Sequence, residues 1–340
     1  MIRILKLPST GTICWMIVSL ASLSLILTPA VVQAVAPGEE IKAMVYQEID
    51  ECANPRPEWV FCNCFEDGNL DIWDDYDGNP PETNLIMEEP GPLDLAGNHV
   101  VRLRVPPGRG GADLVKVLPE TYDRLYARWY MKWEPGYDFG ARNHGSGLFA
   151  GDRNLLGAGA GYRPDGTDKF TATLEPRRDT RRMNAYVYYP GMYQDCVDPE
   201  GMCWGDAFPC MIDEGAVFCT KPQHRETVLP PVMQTGRWYC IEMLLDGGTP
   251  TSDPGAADGI LNFWIDGLEI GPWDDLWFRS TPDLKITVLW LALFHHDEHS
   301  VEGIMFDNVV VSTSRIGAIG EDPGSPAEPS SWGSVKSLYR

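Results

Sequence analysis

Basic residues are scarce. Against 49 acidic side chains the chain sets 27 Lys and Arg, for a formal charge of −22. A surface so dominated by negative charge argues against a nucleic-acid binder. Histidine is rarer still, with six in 340 residues, so each one is a candidate for chemistry. Beyond the first segment no apolar run is long enough to cross a bilayer. Helical periodicity is nearly absent too, which excludes a helix bundle or an alternating α/β fold.

What is present begins with an export signal. Arg3 and Lys6 precede the apolar run Ile13 to Leu27, and Val32-Gln33-Ala34 and Ala34-Val35-Ala36 both offer small residues at cleavage spacing. Residues 1–36 therefore read as a secretory signal peptide, and the protein is expected to be secreted, in a periplasm or outside the cell. Cys14 leaves with that segment. The eight cysteines that remain, Cys52, Cys62, Cys64, Cys196, Cys203, Cys210, Cys219 and Cys240, form an even set. In an exported chain that points to disulfides, with the pairing left open. Zinc is the competing reading, but the wide spacings from Cys196 to Cys219 are not the close pairs of structural zinc sites.

From residue 37 to 316 short alternating segments dominate, punctuated by Gly and Pro. Strands are expected at His99 to Val105, Arg124 to Trp133, Phe170 to Leu174, Asn184 to Tyr189, Arg237 to Leu245, Ile260 to Ile265, Leu284 to Phe294 and Ile304 to Ser312. The pattern predicts an all-β fold, an antiparallel β-sandwich. An irregular insertion at about 190–231 holds four of the cysteines as its staple. Residues 317–340, rich in Pro, Ser and Glu, read as a flexible tail.

The stretch Tyr122 to Gly151 is the most informative. One parity of its strand carries Arg124, Tyr126, Arg128, Tyr130 and Lys132; the other carries Leu125, Ala127, Trp129, Met131 and Trp133. Period two means one buried face. The polar face interleaves cations with phenols, a combination suited to a sugar ring and its carboxylate, although cross-strand pairing on an ordinary solvated sheet gives the same pattern. Asn184, Tyr186 and Tyr188 supply a second strand of this character. Charge is uneven as well. Residues 39–90 hold fifteen acids and two bases, whereas 121–182 hold eleven bases and eight acids, so an anionic ligand is attracted locally.

The segments FEDG, DGILNFWIDG and FDNVVVS resemble the concanavalin A-like jelly-roll superfamily. Within it, YARWYMKWEPGYDFGARNHGSGLFAG resembles the strand and loop of alginate-lyase-type polysaccharide lyases. That family places a motif lysine and two tyrosines one residue apart in its cleft. Here Tyr186 and Tyr188 keep the spacing, and His144 falls where the lysine should be. The resemblance implies lyase cleavage of an acidic, uronic acid-containing polysaccharide by β-elimination, which calls for no cofactor, in a protein expected to be a monomer. The alternatives are a non-catalytic, lectin-like carbohydrate-binding module and an extracellular structural protein.

β-Elimination needs a partner for the carboxylate, a base for the carbon-bound proton beside it, and an acid for the leaving glycosidic oxygen. Arg128 and Lys132 are assigned the first role, with Arg124, Tyr126, Tyr130, Asn184, Arg142 and His295 lining the substrate. His144 or Tyr188 is the base and Tyr186 or Tyr188 the acid; a tyrosine base requires those cations to lower its pKa. His295, His296 and His299 are dense enough to suggest a transition metal. Adjacent His295 and His296 point to opposite faces of a strand, however, so a cleft rim is the reading carried forward. Asp307, with Asp67 in the opening Phe65-Glu66-Asp67-Gly68, resembles the structural calcium position of related carbohydrate-binding sandwiches.

Overall fold

The computed structural model describes residues 50–76, 83–105, 110–140, 143–156, 161–178, 180–192, 196, 201–209, 228–296 and 302–321. The expected signal peptide, Arg142, Cys210, Cys219, His299, much of the insertion and the tail after Glu321 lie outside the described residues.

Among these residues the chain forms β1 (Trp59–Asn63), β2 (Asn84–Glu88), β3 (His99–Val105), β4 (Gly111–Tyr122), β5 (Arg124–Trp133), β6 (Asn143–His144), β7 (Ser146–Gly151) and β8 (Lys169–Pro176). There follow β9 (Met183–Tyr188), β10 (Asp206–Phe208), β11 (Tyr239–Asp246), β12 (Gly259–Ile265), β13 (Leu268–Leu276), β14 (Ile286–His295) and β15 (Glu302–Ser312). One sheet runs β13-β12-β11-β5-β15-β3-β2, with β1 also on β15. The other runs β10-β9-β8-β7-β14-β4, with β6 on β14.

Alternation explains the layering. Leu125, Ala127, Trp129, Met131 and Trp133 of β5 face inward, and so do Phe170, Ala172 and Leu174 of β8 and Leu289, Leu291 and Leu293 of β14. All belong to one core between the sheets, each side chain contributing roughly 1.5–3 kcal/mol where large. The expected antiparallel β-sandwich is what forms, and the residues of opposite parity are left on the two outer faces.

Two expectations need correction. Disulfides join Cys52 to Cys62 and Cys196 to Cys203, but Cys64 and Cys240 are buried thiols. Cys62 and Cys64 lie on the same side of one extended segment, and Cys52 can bond only one of them; the Cys64 sulfur stops 2.9 Å from it. Cys240 instead packs beside Tyr130 and Ala318. Alkylation of the native protein should leave both thiols unmodified, and modification should appear only on unfolding; labelling of either in the native state contradicts this burial.

The tail does not start at Gly317. The backbone amides of Ile316 and Gly317 donate to the buried Glu242 carboxylate at 2.7 and 3.1 Å, and the Ile319 amide donates to the Tyr130 hydroxyl at 2.9 Å. Buried acceptors need donors, and this segment supplies them, so it is docked through Glu321.

Candidate active site

The cations and phenols of β5 do not meet those of β9. Because β5 turns its apolar parity inward, Arg124, Tyr126, Arg128, Tyr130 and Lys132 lie on the outer face of their own sheet, opposite the face that carries Tyr186 and Tyr188. They are also occupied. Arg128 is paired with Glu51, lies over the Tyr130 ring at 5.2 Å, and donates to the Gly317 carbonyl at 3.4 Å. Lys132 is paired with Glu89 and lies 4.9 Å from the Trp238 ring. Arg124 sits 3.8 Å from Asp246 and donates to the Tyr126 hydroxyl at 2.9 Å. The acid-rich residues 39–90 thus supply the partners of Arg128 and Lys132, and the shared basic wall expected from the sequence is not formed.

The second outer face gathers a different set. Gly145 lies between β6 and β7, where a Cβ would come within 2.1 Å of the Leu174 carbonyl oxygen. Glycine there lets β8 approach closely. His144 pairs with Phe294 across β6 and β14, and its ring stacks on Tyr186 with centroids 5.3 Å apart. Its Nδ1 is 3.0 Å from Glu175 Oε2, and its Nε2 is 3.0 Å from His296 Nε2. On β9, the Tyr186 and Tyr188 hydroxyls are 3.2 Å apart. The Gly205 amide donates to Tyr186 at 2.9 Å and the Gly161 amide to Tyr188 at 3.4 Å.

Asn184 lies on the same face, 3% exposed; its Nδ2 donates to the Ala185 carbonyl at 3.2 Å while its Oδ1 has no partner among the described residues. The His144, Tyr186, Tyr188 and Asn184 of the sequence reading are therefore together. His295 is not with them. It is 1% exposed on the inner side, with Nε2 3.0 Å from the Tyr137 hydroxyl, and its neighbour His296 faces the site instead.

The electrostatics separate the proton-transfer roles. Burial, reinforced by Tyr188, pushes the Tyr186 phenol far up, and burial raises that of Tyr188. Lys169, 5.7 Å from the centre of the Tyr188 ring, does not offset that burial, so both tyrosines are neutral at neutral pH, suited to giving a proton rather than taking one. This corrects the tyrosine-base option. With the Nδ1 proton of His144 donated to Glu175, Nε2 carries the lone pair and accepts from His296 Nε2–H, so it serves as a base once His296 turns aside.

Glu175 was not in the sequence-derived set, and His296 was there only as one of a cleft-rim cluster. Glu175 continues the parity of Thr171 and Thr173 on β8, so alternation alone places it on the face of Tyr186. Nothing local in the sequence announces its contact with His144, which joins residues 31 apart in sequence.

Asp307 is the expected calcium ligand. It is fully buried, with Oδ2 accepting from Asn98 at 2.9 Å and Oδ1 from the Asn308 amide at 2.7 Å. Burial raises its carboxyl well above the usual range, with Glu66 and Glu51 adding to the effect. The buried Asn308 Oδ1 has no partner among the described residues. These hard oxygens fit a calcium ion. Asp67 is exposed and does not share the burial of Asp307, and Glu66 is engaged by His99, accepting from its amide at 3.0 Å and lying 3.1 Å from its Nδ1.

No protein-family model matches the sequence, and no curated protein does. Among solved structures, an alginate lyase from a Chlorella virus is 17% identical, with a TM-score of 0.51, covering 75% of this chain and 99% of its own. An alginate lyase from Aplysia kurodai is 12% identical with a TM-score of 0.49, over 74% of this chain and 98% of its own. An endo-β-1,4-glucuronan lyase from Trichoderma reesei is 14% identical with a TM-score of 0.47, over 75% and 96%. The likeness to the Chlorella virus enzyme is one of fold: this chain is a jelly-roll β-sandwich of the kind seen in that alginate lyase.

Proposed function

We propose that this protein is a secreted lyase that cleaves an acidic, uronic acid-containing polysaccharide by β-elimination at the outer face of β8 and β9. The observation that carries the reading is the chain of contacts Glu175, His144, Tyr186, Tyr188, which sets an oriented imidazole beside two neutral phenols. With His296 turned aside, His144 Nε2 takes the proton from the carbon next to the carboxylate. Those electrons form the new double bond, the bond to the glycosidic oxygen breaks, and one phenol gives that oxygen its proton. The Cys196–Cys203 and Cys52–Cys62 disulfides accord with an exported protein, and among the described residues no helix is long and apolar enough to cross a membrane.

Incubation with alginate and with glucuronan tests this: unsaturated ends should appear as a new ultraviolet absorbance, and a panel of uronides that yields none overturns the reading. Tyr186→Phe and Tyr188→Phe separate the phenols. The one that donates the proton should cost roughly 10²–10⁴-fold in kcat, and full activity in both variants excludes a tyrosine acid. A non-catalytic glycan-binding module has one observation in its favour, namely that backbone amides already hold both hydroxyl oxygens. Such a module shifts on affinity gels without producing the absorbance.

Calcium at Asp307 would act on stability, neutralising a buried carboxylate away from β9. Added Ca²⁺ should raise the melting temperature, a chelator should lower it, and Asp307→Ala should abolish the response. A wild-type melting temperature indifferent to both removes the ion from the account.

A further inference from the structure

Lys169 opens β8, two residues before Thr171, which faces Tyr188 across the strand pair. Its parity puts it on the same outer face. The ammonium lies 4.3 Å from the centre of the Tyr162 ring and 5.7 Å from that of Tyr188, and the residue is 3% exposed. The neighbouring Asp168 is engaged elsewhere. Its Oδ2 accepts from the Tyr162 hydroxyl at 2.8 Å, and its Oδ1 accepts from the backbone amides of Lys169 and Asp165 at 2.7 and 3.3 Å. Among the described residues Nζ therefore has two aromatic faces and no hydrogen-bond acceptor.

An ammonium carries three donors, and burying it without acceptors is costly. The cost shows in its acidity, since burial pushes the Lys169 pKa down to about 8, against the opposing pull of Asp168. Tyrosine faces return part of that cost through cation–π attraction, but they leave the donors unfilled. A group that fills them is an anion with paired oxygens, reached across the Tyr188 ring.

We propose that Lys169 is a carboxylate receptor: it holds the carboxylate of a uronic acid unit lying over Tyr188, on the side of the tyrosine pair away from His144. This rests on the uronide reading above and extends it. Lys169 is six positions from Glu175 along β8, about 20 Å at 3.3 Å per residue. The sugar it holds is therefore not the one whose proton His144 removes, and the site reads at least two units of the polymer.

The test measures binding in a His144→Ala background, so that the ligand is not consumed, using an alginate or glucuronan hexasaccharide and its carboxyl-reduced counterpart. Lys169→Met should weaken binding of the acidic oligomer roughly ten- to a hundredfold, the range of a hydrogen bond to a charged group. Lys169→Arg should retain most of the affinity, and the reduced oligomer should bind the parent and Lys169→Met equally. Lys169→Gln replaces the methionine variant if that one does not fold.

Equal affinity of the parent and the neutral variant for the acidic oligomer overturns the proposal, even where cleavage is intact. The opposite result, charge-dependent binding without any unsaturated product from the wild-type protein, keeps the receptor and removes the lyase. A protein that binds no uronide removes both.

Discussion

Replacing His144 with alanine should reduce formation of unsaturated ends by roughly 10²–10⁴-fold, the usual contribution of a positioned general base, while the oligosaccharide still binds. The expectation follows from placement. His144 is the imidazole that touches both Glu175 and the tyrosine ring, and the phenols beside it are held neutral by burial. Glu175→Gln should cost less, because an amide oxygen still accepts the Nδ1 proton, so Nε2 keeps its lone pair but loses a charge that favours the imidazolium. Measuring kcat by absorbance and Kd by titration separates the two effects. Full activity in His144→Ala would eliminate His144 as the base and leave His296 as the imidazole of that face.

Arg128→Met should have the opposite profile: little effect on catalysis and a loss of about 3–5 kcal/mol of stability, the usual consequence of removing one partner from a buried ion pair. Arg128 is 1% exposed and Glu51, its partner, is largely buried. Burial already pushes the Glu51 carboxyl up, against the pull of Arg128. Without the guanidinium, Glu51 must be buried charged or take a proton. The variant's deficit should therefore shrink as the pH falls through a window above the ordinary carboxylate range, because burial already holds the Glu51 carboxyl up and loss of Arg128 raises it further. Chemical denaturation at neutral and acidic pH reads both numbers. A variant as stable as the wild type, or one that loses lyase activity while remaining folded, would return Arg128 to the substrate site.

These two outcomes mark how far the sequence could be read. Period-two alternation identified the inward residues of β5 and the outward tyrosines of β9, and with them the sandwich. It carries no information on which sheet a strand joins. Arg128 and Tyr188 have the same kind of sequence environment, yet β5 lies between β11 and β15 while β9 lies between β8 and β10. The assumption that similar strands share a wall failed there. Adjacent histidines were separable by the same rule, since one faces inward and the other out, but which is which depends on the register of β14 against β4 and β6. The Glu175 contact and the Cys52–Cys62 link both depend on folded proximity rather than on spacing.

The docking of residues 316–321 has a practical side. A chain cut back to the end of β15 would lose the amides that satisfy Glu242 and the cover over Tyr130 and Cys240. Such a shortened form would expose an otherwise inaccessible sulfur to oxidation and intermolecular crosslinking, so dimers that vanish under reducing agent would be its signature. Any recombinant boundary should be drawn after Glu321.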